Sequence, residues 1–191
     1  MTLLLRLTRR VLFACAFLAL VYCGFALIDS WAFQKTERQE FQRLLTERKD
    51  ANPPPHRQTV AADGLIGRIE IPRLGVSVIV IEGTGRTVLG RAAGHIVGTA
   101  LPGQPGNIGI SAHRDTFFRP LRNIRQNDII TLTTLDDEYR YRVVSTEVVS
   151  PYDLAVLRSS ANQVLTLVTC YPFYFIGSAP NRFIVHAKRV L

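Results

Sequence analysis

An uncharged apolar run near the N-terminus is the clearest pattern in the chain. Val11–Ile28 holds 18 residues without a charge, and as a helix these would rise about 27 Å, close to the thickness of a bilayer core. A cleaved signal peptide is the alternative, but the run is long for one and no A-x-A site follows it. Arg6, Arg9 and Arg10 precede the run and favour a cytoplasmic N-terminus. We therefore predict a basic segment over residues 1–10, a single-pass membrane anchor over residues 11–28 and an extracytoplasmic C-terminal domain.

A second helical pattern follows the apolar run. Ser30–Lys49 consists of helix formers, with apolar side chains such as Phe41 among alternating charges, and it predicts a juxtamembrane helix. The run Pro53–Pro55 cannot continue a helix and predicts a stiff, extended spacer. We therefore assign residues 29–62 to a juxtamembrane helix and a Pro-rich linker, and we expect the next domain to begin near Asp63.

From residue 65 onward the pattern is one of short, β-branched-rich segments separated by Gly, Pro, Asn or Asp. Such segments predict strands, here Leu65–Ile71, Val76–Ile81, Gly106–Ser111, Asp128–Leu135, Tyr139–Val149, Val164–Thr169 and Phe183–Val190. Helices are predicted only as brief interruptions, over Thr87–Ala93, Pro120–Ile124 and Tyr152–Leu157. Regularly spaced strands are typical of a closed or nearly closed barrel. The predicted fold class is therefore mainly β: a barrel with short helices over residues 63–191, preceded by a transmembrane helix and a juxtamembrane helix.

Composition and charge narrow the range of partners. The chain is 47% apolar and 20% charged, which is typical of a globular protein rather than a disordered one. The net charge of +8 comes without a Lys/Arg-rich block or a nucleic-acid-binding motif. An anionic membrane surface or cell envelope accounts for the basic balance, so we expect a membrane partner and no nucleic acid.

The cysteines single out one candidate nucleophile. Cys15 and Cys23 lie in the apolar run, whereas Cys170 has no cysteine within the predicted barrel with which to form a disulfide. An unpaired thiol in a non-cytosolic domain indicates reactivity. The alternative is that Cys170 is a small buried hydrophobic residue, a common fate of free cysteine.

Three candidate reactive groups lie at the ends of predicted strands. His113 follows one strand, Cys170 ends another, and Arg182 precedes the last. Strand ends of a barrel can cluster at one mouth, so residues that are distant in sequence can meet there. A Cys–His pair can form the nucleophilic thiolate, and a guanidinium offers charge and donors to the oxyanion of an acyl transfer.

The string Thr166-Leu167-Val168-Thr169-Cys170 resembles the TLxTC motif of the sortases. The upstream His113 and Arg182, twelve residues past the cysteine, also match positions where that family carries a histidine and an arginine. The likeness covers about residues 63 to 191. The phrases Gly94-His95-Ile96 to Pro105-Gly106-Asn107 and Cys170-Tyr171-Pro172-Phe173 most resemble class D sortases.

The resemblance implies a transpeptidase. Sortases cleave an LPxTG-type sorting signal between Thr and Gly, hold the substrate as a thioacyl-enzyme and pass the acyl group to an amine on another protein or a cell-wall precursor. Carried over to this sequence, Cys170 is the nucleophile, His113 protonates the departing amine, and Arg182 stabilises the oxyanion and orients the substrate. The implied partners are surface proteins with a C-terminal LPxTG-like signal and an amine acceptor of the cell envelope. A thiol hydrolase and a non-catalytic module that binds sorting signals are the alternatives.

Thr169 and Ser111 are predicted to be substrate-binding residues. Thr169 either helps to build the oxyanion pocket or is simply a β-branched strand residue. Ser111 lies two residues before His113 on the same strand edge, and because G-x-S-x-G is absent we do not interpret it as a hydrolase nucleophile.

No required cofactor is predicted. His95 and His186 are interpreted as structural, because the chain has no HExxH motif or paired-Cys spacing for a metal site. Some sortases bind calcium through loop acids, so the resemblance also raises a modulatory Ca²⁺ site, although no loop motif marks one. The available carboxylates are those of Glu70, Glu82, Asp115, Asp136 and Asp137.

Overall fold

The computed structural model describes residues 2–50, 64–175 and 177–190. Its first element is a single helix, α1 (Thr2–Asp50), of 49 residues. The predicted transmembrane segment and the predicted juxtamembrane helix both lie on this one continuous helix. No glycine or proline occurs between Gly24 and Asp50, so the change from apolar to charged residues alters the surroundings of the helix without breaking its backbone. The predicted Pro-rich spacer and the domain start near Asp63 lie outside the described residues.

The two halves of α1 have different surroundings. Residues 6–23 are exposed, and the helix contains an 18-residue window of mean hydropathy 2.6, long and apolar enough to cross a membrane. The second half packs on the domain that follows. Phe41 is completely buried against Leu65 and Ile79, and Gln34 accepts a hydrogen bond from the backbone N–H of Ile79 at 3.2 Å. The exposed half of α1 is therefore apolar, as expected of a membrane anchor.

The described residues after α1 form a closed barrel of eight strands in the order β1-β2-β3-β4-β7-β8-β6-β5. The strands are β1 (Leu65–Ile71), β2 (Val76–Glu82), β3 (Ala93–His95), β4 (Gly106–Ser111), β5 (Ile129–Thr133), β6 (Glu138–Val149), β7 (Gln163–Tyr171) and β8 (Asn181–Val190). β2 and β3 are parallel, as are β4 and β7, and the other neighbours are antiparallel. The predicted barrel is confirmed.

Two of the three predicted helices of the barrel domain are shorter than predicted, and the third has the predicted length but begins and ends one residue earlier. Over the described residues 64–175 and 177–190, only α2 (Arg86–Leu89) is α-helical, and the 3₁₀ segments are Pro72–Leu74, Arg119–Asn123 and Ala155–Leu157. The short strand β3 was missed, because Ala93-Gly94-His95 carries no β-branched signal. A Cβ at Gly94 would lie 2.2 Å from the carbonyl oxygen of Gly83. Glycine occurs at this position because the two backbone segments approach closely, and not because of its strand propensity.

Along β7, side chains point alternately into the barrel core and to the outer face of the sheet. Leu165 and Leu167 are completely buried in the barrel core, and successive strand residues point to opposite sides. Thr166, Val168 and Cys170 therefore lie on the outer face of β7. The barrel core consists of aliphatic side chains together with Phe118, Tyr139 and Tyr141, and the candidate nucleophile is not among them.

Strand direction decides which end of the barrel carries Cys170. Arg38 of α1 contacts Ser77 of β2, and Gln34, which is closer to the apolar half of α1, contacts Ile79 of β2. Thus α1 and β2 run in opposite directions. The pairing of β2 through β3 and β4 to β7 makes β7 opposite to β2 as well. β7 therefore runs in the same direction as α1, and Cys170 lies near the C-terminal end of β7, which points away from the apolar run.

Candidate active site

The register of β7 and β8 brings Cys170 and Arg182 together. These residues are direct partners in the antiparallel pair, so they share a face and their Cβ atoms are about 5 Å apart. Cys170 is the second-last residue of β7 and Arg182 the second residue of β8. Twelve residues of sequence separation thus become one cross-strand contact because the chain reverses direction between them.

The parallel pairing of β4 with β7 brings His113 to the same place. Ser111 pairs with Val168, and the backbone N–H of Ala112 donates to the carbonyl of Val168 at 3.3 Å. The hydroxyl of Thr169 donates to the carbonyl of Ala112 at 2.8 Å. The chain then turns, with the N–H of Phe118 bonded to the carbonyl of His113 at 3.1 Å, and the His113 side chain is exposed.

The three predicted catalytic residues line one cleft of about 290 Å³. His113, Cys170 and Arg182 share it with five further residues, Arg114, Asp115, Gly177, Ser178 and Ala179. Cys170 is partly buried. The cleft thus combines a thiol, an imidazole and a guanidinium, the groups needed to attack a carbonyl, transfer a proton and stabilise an oxyanion.

Arg182 is oriented by the backbone of its own loop. Its Nη1 donates to the carbonyls of Asn181 at 3.0 Å and Ala179 at 3.3 Å. Among the residues that the structure describes, Nε and Nη2 make no hydrogen bond, so they are available to a ligand in the cleft. One side of the guanidinium is held in place while the other can donate, which suits preorganised stabilisation of a developing negative charge.

Arg114 is a cleft residue to which sequence reasoning gave no role. The residue is 5% exposed, and its side chain donates to three backbone carbonyls of the loop after β7. Nη1 donates to Pro172 at 2.9 Å, and Nη2 donates to Phe175 at 2.6 Å and to Gly177 at 3.0 Å. A single arginine next to a histidine carries no sequence signal for these contacts, because they join segments about 60 residues apart.

Thr169 and Ser111 lie beside the cleft rather than among the described side chains that line it. Thr169 is 2% exposed, and its hydroxyl proton is committed to Ala112. This contact joins the strand of Cys170 to the segment before His113. Ser111 is partly buried at the end of β4. Their predicted substrate contacts stay predictions.

The other histidines of the barrel are engaged in polar networks outside the cleft. His95 is 2% exposed, with Nδ1 2.7 Å from a carboxylate oxygen of Glu82 and Nε2 3.0 Å from the carbonyl of Ala100. His186 places Nε2 2.8 Å from a carboxylate oxygen of Glu147. These contacts agree with the structural roles predicted for both histidines.

The candidate calcium ligands are dispersed. Glu70 pairs with Arg68 at 3.1 Å, Glu82 contacts His95, and Asp115 lies 3.5 Å from Arg114. Over residues 2–50, 64–175 and 177–190, no three His, Cys, Asp or Glu side chains lie close enough together to hold a metal ion. Modulation by calcium stays a prediction.

Comparison with known proteins identifies the barrel. Residues 69–190 match the Sortase domain family. Sortase D of Bacillus subtilis (strain 168) is 34% identical over 125 residues, which span 65% of this chain and 63% of that protein, less than two thirds of its length. Among solved structures, a Clostridium perfringens Sortase D5 transpeptidase aligns with a TM-score of 0.64 and 27% identity, covering 84% of this chain and 97% of that one.

A sortase of another class has a similar barrel. Sortase C-1 from Actinomyces oris aligns with a TM-score of 0.65 and 25% identity, covering 82% of this chain and 99% of that one. The two Sortase D proteins agree with the likeness to class D seen in the sequence. Because the family match covers most of the barrel, this chain belongs to the sortase family.

Proposed function

We propose that this protein is a membrane-anchored cysteine transpeptidase that cleaves an LPxTG-type sorting signal after Thr and transfers the acyl group to an amine. The observation that carries the proposal is the direct pairing of Cys170 with Arg182 in a cleft that His113 also lines. Family membership supports the same chemistry, since a relative of similar structure is described as a transpeptidase.

The first half of the reaction forms a thioacyl-enzyme. The Cys170 thiolate attacks the Thr carbonyl carbon, and the carbonyl electron pair moves to oxygen. The free N–H groups of Arg182 stabilise that oxyanion. When the tetrahedral intermediate collapses, the C–N bond to Gly breaks and protonated His113 gives its proton to the leaving amine.

The second half releases the product. An acceptor amine attacks the thioester carbonyl while neutral His113 removes its proton. Collapse expels the Cys170 thiolate, leaves an amide between the Thr carbonyl and the acceptor, and restores the starting ion pair. The exposed position of His113 gives it access to both amines.

The proposed setting is the outer surface of a cell membrane. The apolar half of α1 is long enough to anchor the chain, and the arginines before it favour a cytoplasmic N-terminus. The partners would be surface proteins bearing a C-terminal LPxTG-like signal and an amine acceptor of the envelope.

The test is peptide turnover by the full-length chain in detergent micelles, with and without an added amine such as triglycine. We expect Cys170→Ala to reduce cleavage of a fluorogenic LPxT-type peptide to background while the circular dichroism spectrum and Tm stay near wild type. Cys15→Ala and Cys23→Ala are matched controls that change exposed thiols of α1 and should retain activity.

The products distinguish the alternatives. Transpeptidation predicts that mass spectrometry finds the acyl fragment joined to triglycine. Only the free acid, even at high amine concentration, would indicate a thiol hydrolase. Peptide binding without turnover in the wild type would indicate a binding module, and turnover near wild type in Cys170→Ala would remove this residue from the reaction.

A further inference from the structure

Arg114 is a buried cation without an equally buried anion. Its side chain is 6% exposed, whereas the side chain of Asp115, whose carboxylate lies 3.5 Å from Nε, is 71% exposed. Such an exposed partner, screened by water, contributes little to holding a charge inside a protein. A buried charge needs hydrogen-bond acceptors to offset its loss of hydration, so the compensation for Arg114 must come from elsewhere.

The compensation comes from one loop. Three carbonyls that accept from Arg114, those of Pro172, Phe175 and Gly177, belong to the β7–β8 loop, which we define as the described residues 172–175 and 177–180. The guanidinium also lies over the ring of Phe175, 5.9 Å from its centroid. The carbonyl of Pro172 also accepts from the backbone N–H of Phe175 at 3.4 Å. Among the described residues, Arg114 is the donor to the carbonyls of Phe175 and Gly177, which have no strand ladder to supply another.

The same loop shapes the cleft. It begins two residues after Cys170, contributes Gly177, Ser178 and Ala179 to the cleft wall, and ends just before Arg182. The carbonyl of Ala179 also accepts from Arg182. Arg114 therefore holds the first part of a segment whose last part orients the proposed oxyanion donor.

We propose that Arg114 is a positioning residue, which fixes the β7–β8 loop against the strand end that carries His113 and so sets the width of the peptide site. The inference rests on the proposed function for its kinetic consequence, but the anchoring of the loop does not. Arg114 acts through the loop, since its own donors are committed to carbonyls.

The geometry requires arginine in particular. A guanidinium is a planar fork whose two terminal nitrogens donate in fixed directions, whereas the lysine ammonium is a point charge on a flexible stem. Lysine could preserve the charge but could not donate to Pro172, Phe175 and Gly177 in the same arrangement. Arg114→Lys therefore keeps the positive charge and removes the planar guanidinium geometry.

The experiment combines local dynamics with kinetics on the full-length chain in micelles. In Arg114→Lys we expect amide hydrogen exchange in peptides of the β7–β8 loop to accelerate at least fivefold, with the barrel strands unchanged. We also expect kcat/KM for an LPxT-type peptide to fall at least fivefold, mainly through KM. Arg119→Lys, in an exposed part of the neighbouring 3₁₀ segment, is the matched control and should change neither quantity.

A second variant covers the case in which Arg114→Lys does not fold. Gly177 has φ +101°, and a Cβ there would meet no described atom within 4 Å. Gly177→Ala therefore strains the loop backbone without overpacking it, and it should show the same local exchange and the same rise in KM.

The outcomes separate this inference from the proposed function. Wild-type protein that never turns over the peptide would contradict the proposed function, while loop exchange would still test the anchoring by Arg114. Loop exchange within fivefold of wild type, or a smaller loss in kcat/KM than fivefold, would overturn the positioning role. A loss carried by kcat at unchanged KM would also overturn it, because it would place Arg114 in the chemical steps.

Discussion

The guanidinium of Arg182 is held on one side and free on the other, and this asymmetry suits one task. Nη1 is occupied by two loop carbonyls, at 3.0 and 3.3 Å, so the side chain is oriented before a substrate arrives. A donor that is already oriented stabilises a developing charge without a reorganisation cost. Arg182 should therefore contribute through its geometry as well as its charge.

Substitution of Arg182 tests that expectation. Loss of one oxyanion donor typically lowers turnover about 100- to 1,000-fold, and we expect Arg182→Ala to lose at least about 100-fold in kcat/KM. Arg182→Lys should lose nearly as much, because lysine cannot bond the loop carbonyls and the oxyanion together. Steady-state cleavage of a fluorogenic LPxT-type peptide is the measurement, with Tm as the folding control. An Arg182→Ala enzyme within about threefold of wild type would contradict the assigned role, given the size of this effect elsewhere.

Some residues of the site could be identified from sequence motifs, whereas the roles of others became visible only in the structure. Cys170, His113 and Arg182 could be proposed from the sequence because each lies in or near a recognisable motif at a strand end. The loop contacts of Arg114 and the bond from the Thr169 hydroxyl to Ala112 could not be proposed, because they depend on the partners and not on the residue type. The carbonyls that these two residues bond lie 57 to 63 residues away in the chain.

At the scale of elements, a carboxylate directly before β5 joins the 3₁₀ segment after β1 to the turn that leads into β5. Asp128 is 8% exposed and accepts from Nη2 of Arg73, in the 3₁₀ segment after β1, at 2.6 Å. It also accepts from the backbone N–H of Arg125 at 2.8 Å. The hydrogen bond from Arg73 is the main cause that lowers the pKa of Asp128 below its usual range.

This lowered pKa predicts a loss of stability in acid. Because the pKa of Asp128 is lower in the folded state than in the unfolded state, its contribution is complete above the unfolded value of about 3.9 and is lost as pH falls through the folded value. We expect Asp128→Asn to lower Tm at pH 7 by on the order of 5 °C. The difference from wild type should shrink below about pH 4.

Thermal unfolding by circular dichroism at neutral and acidic pH measures this effect. Glu138→Gln, which neutralises an exposed carboxylate on β6, is the matched control and should not change the pH dependence. A Tm difference for Asp128→Asn that stayed constant down to pH 2 would show that packing rather than ionisation accounts for it.

Prediction of the elements succeeded where periodicity was strong. The seven predicted strands all occur, with ends shifted by three residues or fewer. β3 was missed because a strand of three residues forms through its pairing with β2 and β4 and not through its own sequence pattern. The continuity of α1 was not predicted. The change from apolar to charged residues indicates a change in the surroundings of the helix, but it does not indicate where the helix ends.

At the scale of the whole molecule, strand direction relates the cleft to the proposed membrane. α1 and β7 run in the same direction, so the end of β7 that carries Cys170 points away from the apolar run. The Asp29–Arg91 ion pair at 2.9 Å and the buried Phe41 hold the second half of α1 to the barrel. An anchor over residues 11–28 would therefore hold the cleft at a defined height above the lipid.

This arrangement predicts the topology of the protein in cells. A reporter that is active only outside the cytoplasm, such as alkaline phosphatase, should be active when it is fused after Leu191. The same reporter fused after Arg10, before the apolar run, is the control and should be inactive, because the remaining residues cannot span a bilayer. A C-terminal fusion that worked only in the cytoplasm would contradict both the direction of the anchor and the proposed substrates.

The sequence by itself determined the features that depend on local pattern: an apolar run of membrane length, a series of short strands and the residue types of the candidate cysteine acyl-transfer site. Only the tertiary structure decided which of those residues meet. The register of β7 with β8 pairs Cys170 with Arg182, and the parallel pairing of β4 with β7 adds His113. The physical reason is that strand pairing and the hydrogen bonds of a buried arginine join distant segments, and no local pattern encodes such contacts.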